Sequence, residues 1–373
     1  MNPPQEQRMH VVVFGLTVSS SWGNGHATLW RSLIAGLLRR GHTLTFYERD
    51  VPYYAGARDL LQLPKGATLR LYDSMESIQV AALQELAIAD LALCTSYCPD
   101  GVLAADWILA SKAAVRAFYD MDTPVTLKNL DTNATHAYLP PQGLGDFDLV
   151  LSYTGGRALD ELRTRLGAQR VAPLYGWVDP SSHHPVPAVD RFRCAFSYLG
   201  TYAADRQATL ERLFLQPANR LPGERFLIGG AQYPDNFPWS ANLFFTQHLE
   251  QMQHPSFFCS SRATLNVTRQ AMAEYGFCPS GRLFEAAACG APLLSDTWEG
   301  LDTFFRPDRE LVCVESTQDV LDALSRSDEE LQRMARNARE RTLEEHTADV
   351  RVRELEQLCQ TALNGGYASQ RST

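Results

Sequence analysis

Two rhythms alternate along the chain. Short β-branched, apolar runs are separated by stretches in which apolar residues recur every three or four positions. The first cycle closes within fifty residues. Positions 10–16, HVVVFGL, read as a strand, a Ser- and Gly-rich loop follows, 27–40 has helical spacing, Gly41 ends it, and HTLTFYE begins a second strand. Runs at 68–72, 91–96, 116–119, 149–152 and 170–173 continue the pattern. Such alternation predicts α/β architecture around a doubly wound parallel sheet.

The stretch 179–190, DPSSHHPVPAVD, is crowded with Pro and polar residues and has no apolar period, which predicts an inter-domain linker. Strand-like runs then resume at 194–200, 225–229, 243–247, 257–260, 292–295 and 310–314, with 283–289 as a short helix. From Asp328 a charged, Ala- and Leu-bearing helical stretch meets no strong breaker until Gly365, and the last ten residues read as frayed. The expected organisation is a Rossmann-like domain over 1–180, a second over 191–345, and a helical tail over 346–373 that can pack back on the first. A chain of 373 residues exceeds one ordinary core. Two parallel sheets facing across a cleft are the expectation.

A hydrophobic fraction of 45% with 21% charged residues excludes wholesale disorder. The net charge of −9 gives no general attraction to phosphate backbones or anionic lipid, so no nucleic-acid partner is expected. A small anion needs only two or three placed Arg residues. The eight Cys are scattered through mostly apolar runs, which fits reduced core thiols. Cys94 and Cys98 have no second metal-ligand pair at zinc-site spacing. The polar start MNPPQEQRMH and the lack of about eighteen successive apolar residues lead us to expect a cytoplasmic protein without a membrane span.

Candidate chemistry falls in three places. The loop after the first strand contains Trp22, Gly23, Asn24, Gly25 and His26, where open parallel sheets hold ligands and glycines admit close approach. Its spacing is not the dinucleotide GxGxxG. These residues are candidates for the acceptor or sugar side, and His26 for catalysis, against a cap or packing role. At the first strand of the second half, Gly200 and Arg206 are spaced to return a guanidinium to the sheet's mouth, where it suits phosphate oxygens. The richest segment is SSRATLNVTRQAMAEYGFCPSGRLFEAAACGAPLLSD. Ser280 and Gly281 form a helix start suited to phosphate, Glu285 offers a carboxylate to a ribose diol, and Arg262 and Arg269 add positive charge. In FYDMDTPVTL, Asp120 and Asp122 form an Asp-x-Asp pair. It suits sugar hydroxyls in a cleft, as a candidate catalytic pair, or a turn cap before Pro124; no metal is expected on it.

The segment PSGRLFEAAACGAPLLSDTWEGLDTFF resembles the C-terminal signature of CgeB-type, spore-maturation-like glycosyltransferases within the two-domain retaining class of GT-B fold. WGNGHATLWRSLIAGLLRRGHTLTFYERDVPYY, FYDMDTPVTL, YLPPQGLGDFDLVLSYTGG and LYGWVDP extend the resemblance over most of the chain. It implies that Glu285 binds the nucleotide ribose, that Arg206, six places after Gly200, binds the diphosphate, and that anomeric configuration is retained. Eight residues before the ribose Glu, where the wider class usually has another Glu, this chain has Phe277.

The expected activity is transfer of a sugar from a nucleoside-diphosphate donor to an acceptor, with no cofactor and no metal. Arg206 and helix amides, with Arg262 or Arg269, would neutralise the departing diphosphate. The rivals are a dinucleotide-dependent oxidoreductase, for which Glu48 ends the second strand where an acid can hold adenosine ribose, and a non-catalytic nucleotide-sugar-binding protein.

Overall fold

The computed structural model describes residues 8–23, 25–132 and 136–370, with side chains through residue 365. The chain divides into two compact units, Met1–Tyr175 with Arg351–Thr373, and Gly176–Val350.

The first unit is built on β1 His10–Gly15, β2 Thr43–Arg49, β3 Ala67–Tyr72, β4 Leu91–Thr95, β5 Val115–Asp120, β6 Leu149–Ser152 and β7 Val171–Pro173. All pair in parallel, in the order β3-β2-β1-β4-β5-β6-β7. A parallel sheet is covered on both faces. That is why β1 reads VVVF without alternation: Val12, Val13 and Phe14 are all fully buried. Chain order runs outward from β1 on one side and from β4 on the other, so the carboxyl ends of β1 and β4 flank a switch point, where such sheets bind ligands. The end of the chain belongs to this unit. Arg351 donates through Nε to the Tyr175 carbonyl at 3.1 Å, and Glu356 accepts from Arg40 Nε at 2.7 Å and meets His42 Nε2 at 2.6 Å.

The second unit repeats the plan with β8 Cys194–Leu199, β9 Phe226–Gly230, β10 Leu243–Gln247, β11 Ser261–Asn266, β12 Leu293–Ser295 and β13 Val312–Cys313. The strands are parallel in the order β10-β9-β8-β11-β12-β13, with the switch point between β8 and β11. Phe196, Phe214 and Phe226 pack together in its core, the first two stacked with centroids 5.3 Å apart.

Three local expectations are corrected. Residues 257–260 are not a strand: His254–Cys259 is a helix, opened by Pro255 and burying Phe257 and Phe258. The strand is the next segment, SRATLN, whose polar Thr264 and Asn266 are buried between two neighbouring strands and disguise it. The helical stretch from Asp328 is two helices, Asp328–Glu345 and Ala348–Gln370. They part where Val178 bridges Thr347, its N–H donating to His346 O and its carbonyl accepting from Ala348 N. The Pro-rich stretch 179–190 lies within the second unit. Asp179 and His183 are buried there, with Asp179 Oδ1 accepting from Ser181 N and Oγ at 2.9 and 2.8 Å. Among the described residues, no helix is long and apolar enough to cross a membrane.

Candidate functional site

In the second unit, the carboxyl ends of β8 and β11 gather the charged groups. β8 ends at Leu199, and Gly200 turns the chain so that Arg206 comes back beside the strand. Its Nη1 donates to the buried Tyr198 hydroxyl at 2.9 Å and to Thr201 O at 3.3 Å. Glycine is required at 200 for space. A Cβ there would sit 2.6 Å from the Tyr198 hydroxyl and 3.2 Å from Arg206 Nη1.

Arg206 is 8% exposed, and among the described residues its Nε has no hydrogen-bond partner and no carboxylate forms an ion pair with it. A second guanidinium joins it from the helix Gly281–Ala288. Burial and the charge of Arg206 together pull the Arg282 guanidinium below its ordinary value. Among the described residues the Arg282 side chain likewise has no ion pair or hydrogen bond, yet it keeps part of its surface open. Two cations without a direct ion-pair partner in a shielded setting repel each other, and an anion between them removes the cost.

Glu285 lies three residues after Arg282 on the same helix face. It is buried, and burial alone would raise its carboxyl; the charges of His183, His254 and Arg282 overcome this and bring it down to about 2. His254 Nδ1 lies 3.5 Å and His183 Nε2 4.0 Å from the same oxygen, Oε2. Ser280 is the helix N-cap, its Oγ accepting from Arg282 N at 3.3 Å, and Gly281 opens the helix. The expected Arg262 is a correction. It sits near the amino end of β11, away from the switch point, bonded to Asp328 at 2.7 Å and to the carbonyls of Leu324 and Arg326 at 2.6 Å each, so it anchors a helix end. Arg269, at the carboxyl end of β11, lies 3.3 Å from Asp205 and is partly neutralised. Phe277 adopts a positive φ of 44° and packs on Gly300, where any Cβ would fall 2.4 Å from its ring.

Arg282, His183 and His254 are the residues that sequence reasoning missed. Arg282 carried a signal, its i, i+3 relation to Glu285. The histidines carried none, one lying in the supposed linker and the other beside the misplaced strand.

In the first unit, the loop after β1 is braced from beneath. The buried Glu48 accepts from Thr17 Oγ1 at 2.8 Å, Val18 N at 2.7 Å, Ser19 N at 3.0 Å and the Ser19 hydroxyl. This carboxylate is filled by its own chain, which removes the feature that favoured a dinucleotide. Gly23 has a φ of 65°, so glycine serves conformation there. At Gly25 the backbone is ordinary and a Cβ would meet nothing within 4 Å. Trp22 is partly exposed, and Asn24 lies outside the described residues.

His26 begins the helix His26–Arg39. Its Nε2 lies 3.3 Å from Asp122 Oδ2, and its ring meets Tyr97 edge-on at 5.7 Å. Asp122 stands at the N-cap of Thr123–Leu130 without a side-chain cap bond, and its N–H donates to Asp120 Oδ1 at 3.1 Å. The two carboxylates are therefore not equivalent. Asp120 is fully buried, Oδ2 has no hydrogen-bond partner among the described residues, and burial pushes its carboxyl up to about 6.

A stability prediction follows. The folded state holds its proton up to about pH 6, while the unfolded chain releases it near the ordinary carboxyl value of 3.8. Ionising Asp120 is thus a cost of folding, absent below about pH 4 and fully present above pH 6. Asp120→Asn should stabilise the protein at pH 7 by about 3 kcal/mol and flatten the decline between these limits. Urea unfolding at pH 4, 5, 6 and 7 measures this. An unchanged pH slope in the variant would count against a buried ionising Asp120.

Comparison with known proteins adds the class. Residues 206–357 match a family model described as "Glycosyl transferase-like", a span that starts at Arg206 and contains Arg282 and Glu285. No curated protein matches the chain in sequence. Among solved structures, the chain is similar to sucrose-phosphate synthase from Thermosynechococcus elongatus, with a TM-score of 0.66, 13% identity and 96% and 100% of the two chains covered. It is similar to an α-glucosyltransferase in complex with UDP-glucose and DNA containing an abasic site, with a TM-score of 0.67, 12% identity and coverage of 95% and 100%. The catalytic domain of starch synthase IV from Arabidopsis thaliana, bound to ADP and acarbose, gives 0.64, 10% identity and coverage of 96% and 100%. The two Rossmann-like units have the GT-B fold. With the family match, the chain is a glycosyltransferase.

Proposed function

We propose that this protein takes its sugar from a nucleoside-diphosphate donor bound by the second unit, and that it is a CgeB-type, retaining enzyme. One observation carries the donor reading: Arg206 and Arg282 interact at the β8 and β11 ends, and among the described residues no carboxylate forms a direct ion pair with either. A diphosphate supplies two adjacent anionic groups at that spot. As it leaves the sugar its charge grows, and fixed guanidiniums stabilise the developing charge without reorganising. They fill the place a metal takes in other transferases, so the diphosphate calls for none. Gly200, Ser280, Gly281 and Arg269 frame the subsite, and Glu285 accepts hydrogen bonds from the ribose. Structures similar to this one were obtained with UDP-glucose and with ADP, which supports a donor of that class.

The first unit takes the acceptor in this reading. Trp22, Gly23 and Gly25 belong to its loop, and His26 with Asp122 supplies a polar pair for a hydroxyl-bearing substrate, beside the buried Asp120.

Thermal shift with UDP, ADP, GDP and their sugars, followed by a nucleoside-diphosphate release assay, tests the reading. At a ligand concentration of 100 Kd, binding adds about 2.7 kcal/mol of stability, enough for a clear rise in Tm. Diphosphates should stabilise where free nucleosides do not. Stabilisation by NAD(H) alone would overturn it.

A further inference from the structure

Behind the guanidinium pair, three potential ligand atoms converge with nothing bonded between them. They are His183 Nε2 from the stretch after Trp177, His254 Nδ1 from the start of the helix His254–Cys259, and Glu285 Oε2 from the helix Gly281–Ala288. All three lie within 4.8 Å of one another. The His183 and Glu285 side chains are 2% and 9% exposed, and His254 is 15% exposed. Neither imidazole nitrogen has a hydrogen-bond partner among the described residues. Separations of 3.5 and 4.0 Å to the carboxylate oxygen are too long for good hydrogen bonds and close to the edge of a tetrahedral coordination shell, about 3.4 Å for bonds of ~2.1 Å. Buried polar atoms facing one another across such a gap are costly unless something sits among them.

We propose that His183, His254 and Glu285 bind a divalent cation of the zinc type. Two imidazoles and one carboxylate are a donor set that suits zinc and disfavours magnesium or calcium, which prefer all-oxygen shells. Three protein ligands leave a fourth position open. The cation ties together three segments of the second unit that the sheet does not join directly, and so fixes the helix carrying Arg282. Both imidazoles face Oε2, which leaves Oε1 for the donor. The site therefore goes beyond the donor reading without displacing it.

The test uses the full chain, stripped with a chelator and titrated with Zn²⁺ alone against a chromophoric competitor, with bound metal counted by elemental analysis. One Zn²⁺ per chain is expected. His254→Ala and His183→Ala should each weaken it by ~100-fold, because each removes one of three ligands. Cys259→Ser should leave it unchanged, which separates this site from the nearby thiols Cys259 and Cys289. Circular dichroism of each apo variant keeps a folding defect apart from a lost ligand, and His254→Asn serves if the alanine variant unfolds. Stoichiometric zinc that survives in the His183→Ala/His254→Asn double variant overturns the assignment. So does no zinc binding by the parent at millimolar metal. Because the readout is metal rather than transfer, a parent protein that binds nucleoside diphosphate but no zinc would refute this site and leave the donor reading standing.

Discussion

Arg282→Met should lower affinity for nucleoside diphosphates by about 100- to 1,000-fold, roughly 3–4 kcal/mol, because a charged phosphate loses up to two charge-assisted hydrogen bonds. The same substitution should leave the ligand-free protein at least as stable as the parent. Among the described residues Arg282 makes no side-chain hydrogen bond or ion pair; its attraction to Glu285 is lost, but the cost of burying its charge and its repulsion with Arg206 disappear. Better folding with worse binding is a signature that a merely structural residue does not give. Arg206→Met is less clean, since Arg206 also holds the Tyr198 hydroxyl and Thr201 O. It should lose binding and stability together. The two effects on binding should fall short of additive, because both cations serve one diphosphate. Calorimetry with a nucleoside diphosphate and with the free nucleoside, beside urea unfolding of each apo protein, checks the set. An Arg282→Met protein that binds diphosphate like the parent would show that the guanidinium pair is not an anion site.

The architecture was legible because both sheets are parallel and buried on both faces. Runs such as VVVF and LALC admit few readings, and strict alternation with helical spacing follows from the right-handed crossovers between them. β11 was not legible for the converse reason. It is central, yet it carries Ser261, Thr264 and Asn266, whose polar atoms are satisfied sideways: Thr264 Oγ1 accepts from Ser197 Oγ at 2.9 Å, and Asn266 donates to Ser295 Oγ at 3.1 Å. The aromatic pair Phe257–Phe258 looked more like the strand.

The candidate site divides along the same line. Gly200, Arg206 and Glu285 are fixed by position within a strand–loop–helix unit, so spacing finds them. His183 and His254 reach Glu285 from segments far away in sequence, and no local pattern encodes that convergence. Arg262 misled for a related reason. Proximity in sequence to Arg269 does not survive a strand, which carries its two ends to opposite edges of the sheet, and only the carboxyl edge meets ligands.

Glu285→Ala should weaken a ribonucleoside diphosphate by about 2–4 kcal/mol, the loss of two hydrogen bonds accepted by a carboxylate. With its carboxyl held at about 2, Glu285 is ionised throughout the neutral range and can only accept, which suits a diol that donates twice. A diol contact at Glu285 entails more than a loss. A 2′,3′-dideoxynucleoside diphosphate lacks both donors, so the parent should bind it more weakly than the ribonucleotide, whereas Glu285→Ala should bind the two almost alike. The diphosphate contribution from Arg206 and Arg282 remains in both proteins and sets the floor. Any disturbance transmitted from His183 and His254, which lose their counter-charge in the variant, falls on both nucleotides equally and cancels in the ratio. Calorimetric affinities for both nucleotides, in both proteins, give the four values. If the preference for ribose survives intact in Glu285→Ala, the diol is read elsewhere and Glu285 serves only the two imidazoles.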